Sequence, residues 1–221
     1  SAGQRCSALR VLFLPEETAD KIVELVVGAI QQLRIGNPGD YATDIGPVIN
    51  RAALERLEQH VEHMRTHGNV IFQLPPFVDA TGCYKGNYFS PTLIEINDLK
   101  YLQEEVFGPI LHVIRYSSSN LDAVIDTVNA TGYGLTLGIH SRIQSTINKI
   151  QQQVRVGNIY INRNMIGAVV GVQPFGGMGL SGTGPKAGGP DYLRRFAVEQ
   201  TVTNNIAAIG GNTGLLAQDL R

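Results

Sequence analysis

A cysteine near the first residue of the sequence is the side chain best suited to nucleophilic chemistry. Cys6 lies in residues 3–8, which read Gly-Gln-Arg-Cys-Ser-Ala. A thiolate nucleophile needs access and nearby donors, and a setting of small and polar residues can provide both. Gly3 lets the backbone approach closely, and Arg5 would favour the thiolate if it points inward. A free cysteine is more often a small buried apolar residue, so these neighbours alone leave both interpretations open.

Three later stretches join residues 3–8 in resembling the motifs of one enzyme family. They read Glu-Glu-Val-Phe-Gly-Pro at 104–109, Gly-Asn-Ile-Tyr-Ile-Asn at 157–162 and Pro-Phe-Gly-Gly at 174–177. Four motifs in this order, at about these distances, resemble the aldehyde dehydrogenase superfamily. Within it, residues 162–190 look most like the glutamate-semialdehyde (1-pyrroline-5-carboxylate) dehydrogenase module of the bifunctional proline utilization A family. The resemblance covers nearly the whole chain.

For the substrate, the resemblance implies that Cys6 attacks the aldehyde carbon of glutamate γ-semialdehyde. Ser7 and the backbone N–H groups of Gly167 and Ala168 would then hold the substrate carboxylate, and Phe175 would pack against its aliphatic part. Several amide donors suit a carboxylate because none of them carries a competing charge. Without the resemblance, the glycine-rich residues 167–189 are equally well explained as a surface loop.

For the cofactor, the resemblance implies that Glu105 accepts hydrogen bonds from the nicotinamide ribose of NAD and that Phe107 packs near the nicotinamide. A carboxylate accepts from two neighbouring hydroxyl groups, which suits this role. Taken alone, the two residues are more typical of a surface acid and a core aromatic.

The resemblance also implies partners outside this sequence. Most NAD contacts, a second oxyanion donor and the general base would come from an upstream domain, so the chain is expected to be a fragment that is inactive alone. FAD is expected only in a separate proline dehydrogenase domain. Residues 1–198 are predicted to form the catalytic domain. Residues 199–221 are predicted to form an oligomerisation arm and tail of a homo-oligomer. Loss of the upstream domain is expected to expose apolar surface on the fragment.

The composition is that of an ordinary soluble protein. The chain has 221 residues, 43% of them hydrophobic and 17% charged, and a net charge of -1, so no nucleic-acid partner is indicated. No run of residues is long and apolar enough to cross a bilayer, which makes a cytoplasmic location the expectation. Cys6 and Cys83 give no disulfide or zinc pattern.

Hydrophobic periodicity predicts an α/β fold in three layers, with a mostly parallel sheet flanked by helices. An exposed strand is predicted at 199–206, and the resemblance implies that residues 201–206 pair with another chain or with a flap that this fragment lacks. The predicted helices are 16–33, 51–66, 121–128, 143–154 and 191–197, and the predicted strands are 10–14, 69–74, 90–96, 110–116, 135–139 and 157–162.

Two other functions remain open from the residues. One is a scaffold module that keeps the fold without the reaction, and the presence of Cys6, Glu105 and Phe107 counts against it. The other is a thiol hydrolase in which Cys6 works with one of the five histidines, although the sequence favours none of them. His60, His63 and His67 have spacings that metal ligands use, but a solvated helix face is the preferred interpretation, and no metal site is predicted. His112 is predicted to be a satisfied core residue.

Overall fold

The computed structural model describes residues 1–78 and 85–205, together with the single positions 208, 214 and 217. Cys83 lies outside the described residues, as does Ile206 at the end of the predicted strand 199–206. No helix within the described ranges is long and apolar enough to span a membrane.

A four-stranded sheet forms the first part of the chain. Strands β1 (Val11–Pro15), β2 (Asn69–Gln73), β3 (Thr92–Glu95) and β4 (Ile110–Tyr116) are arranged in the order β1-β4-β3-β2. β4 runs parallel to both β1 and β3, while β2 pairs antiparallel with β3. These strands are rich in branched and aromatic residues, which pack well on a pleated surface. They lie within two residues of their predicted bounds.

Two helices cover the two faces of this sheet. Helix α1 (Glu16–Gln31) packs over a cluster that contains Leu93, and helix α2 (Arg51–His67) packs over a cluster that contains Ile94. Because successive strand residues point to opposite faces, the two clusters lie on opposite sides of the sheet. The predicted three-layer α/β arrangement is therefore confirmed.

Each of these helices begins where its sequence favours a start. Glu16 and Glu17 lie in the first turn of α1, where negative charge complements the helix dipole. The side chain of Asn50 caps α2 by accepting a hydrogen bond from the backbone N–H of Ala53, at 2.8 Å. The apolar stripe of α2 is buried: Leu54, Leu57, Val61 and Met64.

The second part of the chain contains shorter elements. Helix α3 (Leu121–Ala130) leads to β5 (Tyr133–Gly134) and β6 (Thr136–Ile139), and helix α4 (Gln144–Gln153) leads to β7 (Asn158–Ile161). β6 and β7 form a parallel pair, and β5 pairs antiparallel with β8 (Met178–Gly179). The strand and helix alternation is as predicted, but the parallel strands fall into two groups within the described residues rather than one sheet.

The last described segment differs from its prediction. The helix predicted at 191–197 is only a 3-10 turn, Leu193–Phe196, and residues 197–205 form no strand with any described part of the chain. Leu193 is 79% exposed and Phe196 is 73% exposed. A helix or an edge strand is stabilised by a surface to pack on or a strand to pair with, and no described strand pairs with residues 197–205. Pairing of residues 201–206 with another chain therefore stays a prediction.

Candidate active site

The cysteine loop, residues 1–8, folds as a series of turns against the Glu105–Phe107 region. Gly3 has φ +65°, and a Cβ atom added to it would lie 2.1 Å from the carbonyl oxygen of Gly108. Only glycine allows such a close approach in that conformation. Gly108 in turn packs on Leu57 of helix α2. The sheet and α2 thus hold the loop that carries Cys6, whose side chain is exposed.

Arg10 ties together two motifs that lie about a hundred residues apart. Its Nη1 donates to the carbonyl oxygen of Gly3 at 2.6 Å, and its Nη2 donates to that of Arg5 at 2.8 Å. Its Nε lies 3.5 Å from Oε1 of Glu105, and the guanidinium lies over the Phe107 ring at 4.6 Å. The structure therefore brings the cysteine loop, Glu105 and Phe107 into one site.

Arg10, and not Arg5, supplies the charge at this site. Arg5 is exposed, so it does not point inward as the sequence-based hypothesis required. Burial lowers the pKa of Arg10, while the nearby Glu105 carboxylate and Cys6 oppose that shift. The sequence analysis missed Arg10. The available signal was an arginine four residues after the nucleophile, at the entrance to a buried strand.

Ser7 links the cysteine loop to the glycine-rich segment. Its side chain is buried, and its Oγ accepts a hydrogen bond from the backbone N–H of Gly167 at 3.0 Å. The hydroxyl of Tyr160, in β7, donates to the Gly167 carbonyl oxygen. Gly167 has φ +68°, and Ala168 beside it is half-buried. Three predicted substrate-binding residues therefore lie next to Cys6, in one place.

Phe175 lies in a neighbouring hairpin of the glycine-rich segment. Its backbone exchanges two hydrogen bonds with Ala187, at 3.0 and 2.9 Å. Asn158 holds this hairpin against β7, because its side chain donates to the Pro174 carbonyl at 3.0 Å and accepts from Gly176 at 3.3 Å. The hairpin is ordered by these bonds. Contact between Phe175 and the substrate stays a prediction.

Two histidines, one buried and one half-buried, form a pair that contacts the Arg10 backbone. Nε2 of His60 and Nε2 of His112 are 2.8 Å apart, and Nδ1 of His112 is 3.2 Å from the carbonyl oxygen of Arg10. A carbonyl only accepts, so Nδ1 of His112 carries the proton and His60 donates to its Nε2. His112 is a satisfied core residue, as predicted. His60 is half-buried rather than on a solvated face, because its partner lies in the sheet below.

The buried histidine predicts how stability depends on pH. Burial lowers the pKa of His112 from 6.5 to about 4, with His60 and Arg10 adding to the shift and the Arg10 carbonyl opposing it. The unfolded chain binds this proton below its ordinary pKa and the folded chain does not, so stability falls as the pH drops from 6.5 towards 4. Between pH 7 and 5 the expected loss is about 2 kcal/mol.

Urea unfolding of the wild type and of a His112→Gln variant, at several pH values, tests this expectation. The variant should lose much less stability between pH 7 and 5, although it starts from a lower value. His140→Gln is the matched control, because His140 is exposed and should keep the wild-type slope. His60 contributes to the remaining slope, because burial and the neighbouring His63 lower its pKa while Glu104 opposes the shift. An unchanged slope in His112→Gln would contradict the assignment.

Comparison with known proteins identifies the family to which this chain belongs. The model of the aldehyde dehydrogenase family matches residues 1–202. The chain belongs to the aldehyde dehydrogenase family. That match takes in both parts of the fold and every residue of the site described above.

Relatives of this aldehyde dehydrogenase chain are much longer proteins. Bifunctional protein PutA of Escherichia coli strain K12 is 55% identical over 198 residues, which are 89% of this chain and 15% of PutA. A 1-pyrroline-5-carboxylate dehydrogenase of Geobacillus sp. strain WCH70 is 35% identical over 208 residues, which are 91% of this chain and 38% of that enzyme. The chain therefore spans only a minor part of the relatives it matches.

Solved structures agree in fold. A variant of Bradyrhizobium japonicum proline utilization A is 57% identical, with a TM-score of 0.86 over 94% of this chain and 21% of that one. The 1-pyrroline-5-carboxylate dehydrogenase from Thermus with bound NAD is 34% identical, with a TM-score of 0.79 over 88% of this chain and 37% of that one. The aldehyde dehydrogenase fold of the chain is thus established.

Proposed function

We propose that this chain carries the cysteine half of an NAD-dependent dehydrogenase that oxidises L-glutamate γ-semialdehyde to L-glutamate, the second step of proline catabolism. The observation that carries the proposal is the joining of Cys6, Ser7 and Gly167 to Glu105 and Phe107 in one site. The names of the relatives, PutA and 1-pyrroline-5-carboxylate dehydrogenase, support the choice of substrate.

The first half of the reaction begins with loss of the Cys6 thiol proton to solvent, and the thiolate sulfur then forms a bond to the aldehyde carbon. The carbonyl oxygen becomes an oxyanion, for which the backbone N–H of Cys6 is the donor that this chain offers. The resulting hemithioacetal loses a hydride from the same carbon as the C=O bond re-forms, leaving a thioester on Cys6. NAD+ supplies the hydride acceptor when it is bound.

The second half releases the product. Water adds to the thioester carbon, the C–S bond breaks, and the γ-carboxylate of glutamate and the Cys6 thiol are formed. An exposed nucleophile such as Cys6 is reachable by both the aldehyde and the water. Activation of that water falls to a general base from outside this sequence, which is part of the same proposal.

Two residues of the chain fit the nicotinamide end of the cofactor. The Glu105 carboxylate is an acceptor with 31% of its side chain exposed, which suits a ribose diol. The Phe107 ring is 43% exposed beside it and offers a flat apolar surface. Both face the cysteine loop through Arg10, so a nicotinamide held there would lie near Cys6.

The rest of the working enzyme is proposed to lie in the part of PutA-like relatives that this chain does not match. That part would supply the other NAD contacts, and an FAD-dependent proline dehydrogenase domain would be separate from it. Residues 1–198 would then act as the catalytic domain and 199–221 as an oligomerisation arm. Val202, exposed by 78%, supports the arm as a surface for another chain. The proposed location is the cytoplasm.

A chimera tests the proposed function. In this PutA chimera, residues 1–202 replace the matched segment of Escherichia coli PutA. We expect NADH formation from glutamate semialdehyde by the PutA chimera and little or none by the 221-residue chain alone. A folded chimera that forms no NADH would overturn the proposal in favour of a scaffold role.

Ser7 predicts selectivity for the substrate carboxylate. Ser7→Ala removes a buried hydroxyl that fixes the Gly167 N–H and that is proposed to donate to the substrate carboxylate, a hydrogen bond to a charged group worth about 1.5–3 kcal/mol. We expect kcat/KM for glutamate semialdehyde to fall by about 10-fold or more in the PutA chimera. Pentanal has the same chain length and no carboxylate, so its kcat/KM should change much less. Equal losses for both aldehydes would contradict carboxylate anchoring by Ser7.

A further inference from the structure

The guanidinium of Arg10 stabilises the backbone of the cysteine loop. It donates to the carbonyl oxygens of Gly3 and Arg5, which lie on either side of Gln4 and just before Cys6. Ala2 and Gly3 both have positive φ, 49° and 65°, a backbone conformation that persists only when its surroundings stabilise it. The two bonds from Arg10 supply part of that stabilisation, because a planar fork holds two carbonyls at a fixed spacing.

The base of Arg10 is fixed in the sheet. Its carbonyl oxygen accepts from the backbone N–H of His112 at 3.0 Å and from Nδ1 of the same residue at 3.2 Å. His112 is 1% exposed and is itself held by His60. The Arg10 side chain is 18% exposed. Arg10 therefore fixes the position of the cysteine loop relative to strand β4 in the core.

The same guanidinium also orients Glu105 and Phe107, and it leaves the Glu105 carboxylate able to accept hydrogen bonds. Its Nε makes no hydrogen bond and faces Oε1 of Glu105 at 3.5 Å as an ion pair. Glu105 is held by charge and keeps its acceptor capacity for other donors. The ring of Phe107 stacks at 4.6 Å from the same group, which limits where that ring can move.

We propose that Arg10 is a positioning residue that sets the spacing between Cys6 and the Glu105–Phe107 segment. It does so by holding the carbonyls of Gly3 and Arg5 with one end of its guanidinium while Glu105 and Phe107 pack on the rest. The role of that spacing in catalysis rests on the proposed function. The contacts themselves belong to this chain and can be tested without NAD.

Two readouts on the 221-residue chain, in a Cys83→Ser background, separate the geometric role from the charge. The first is hydrogen exchange at the amides of Gln4 and Ala8, which donate within the loop to Ser1 and Arg5. The second is the ratio of the Cys6 alkylation rates with iodoacetate and with iodoacetamide. Both reagents need the same thiolate, so their ratio reports the charge near Cys6. The Ile96 amide, which bonds to Val113 in the core, reports global unfolding.

The expected pattern differs for each variant. Arg10→Gln should speed exchange at Gln4 and Ala8 by about 10-fold and lower the reagent ratio several-fold. Arg10→Lys should restore the ratio but not the exchange, because an ammonium cannot bridge both carbonyls in the same way. Arg5→Gln removes an equal charge from an exposed position and should change both readouts by less than about 2-fold.

Either of two results overturns the proposal: unchanged Gln4 and Ala8 exchange in Arg10→Lys, or an Arg5→Gln effect as large as that of Arg10→Gln. If exchange at the Ile96 amide is also faster in Arg10→Gln, that variant is globally unfolded, and the result for Arg10→Lys alone tests the proposal. In the PutA chimera, Arg10→Lys should lower kcat/KM for NAD by about 10-fold or more, since misplaced groups react slowly. Failure of NADH formation in the wild-type chimera would refute the proposed function and leave both chain readouts intact.

Discussion

Substitution of Gly3 by alanine is expected to destabilise the chain by about 3 kcal/mol. A non-glycine residue at positive φ costs about 1–2 kcal/mol, and the added Cβ would lie 2.1 Å from the Gly108 carbonyl oxygen. Backbone atoms must move to relieve that contact, at a cost of about 1–3 kcal/mol by analogy with overpacked cores. The midpoint of thermal unfolding should fall by roughly 6–12 °C in a chain of this size.

Gly28→Ala is the matched control for this experiment. Gly28 lies inside helix α1, and an added Cβ meets nothing within 4 Å. Alanine is the better helix former by about 1 kcal/mol, so the control should be unchanged or slightly stabilised. Equal midpoints for Gly3→Ala and wild type would show that the cysteine loop does not pack on Gly108 as described.

The second large effect is expected at the nucleophile. Cys6→Ser in the PutA chimera should lower NADH formation from glutamate semialdehyde by more than about 10³-fold, the scale seen when an essential nucleophile is removed. A serine hydroxyl is a far weaker nucleophile than a thiolate. Initial rates at saturating NAD and aldehyde measure the effect.

Cys83→Ser controls for the general loss of a thiol. It should keep the wild-type rate, because Cys83 has no assigned part in the reaction. NADH absorbance and the unfolding midpoint together separate a folded inactive variant from an unfolded one. A Cys6→Ser chimera that retains even a tenth of the rate would remove Cys6 from the mechanism.

The fold was predictable from sequence because its elements carry local signals. Residues 51–66 show an apolar stripe at helical spacing, and the structure buries that stripe in helix α2. Residues 110–116 form an apolar run that becomes the central strand β4, paired on both sides. The helix predicted at 191–197 shows where this reasoning stops, since its apolar residues have no partner surface among the described residues. Periodicity describes a face and not what covers it.

The candidate site was only partly predictable, because its cohesion comes from contacts distant in sequence. Cys6 and Glu105 belong to recognisable motifs, whereas Arg10 was found only when folding placed its guanidinium between them. The bond between Ser7 and Gly167 spans 160 positions. The pairing of His60 with His112 likewise depends on how α2 packs on the sheet. The spacing of residues along the chain does not predict such contacts.

Alkylation of Cys6 in the active PutA chimera is the most direct test of the central claim that this thiol is the nucleophile. The chimera, with Cys83→Ser, is treated with iodoacetamide, and samples are assayed for NADH formation and for modification of the peptide that contains Cys6. We expect activity to fall in proportion to the fraction of Cys6 modified, and glutamate semialdehyde to slow both. Full modification of Cys6 with activity retained would contradict the account.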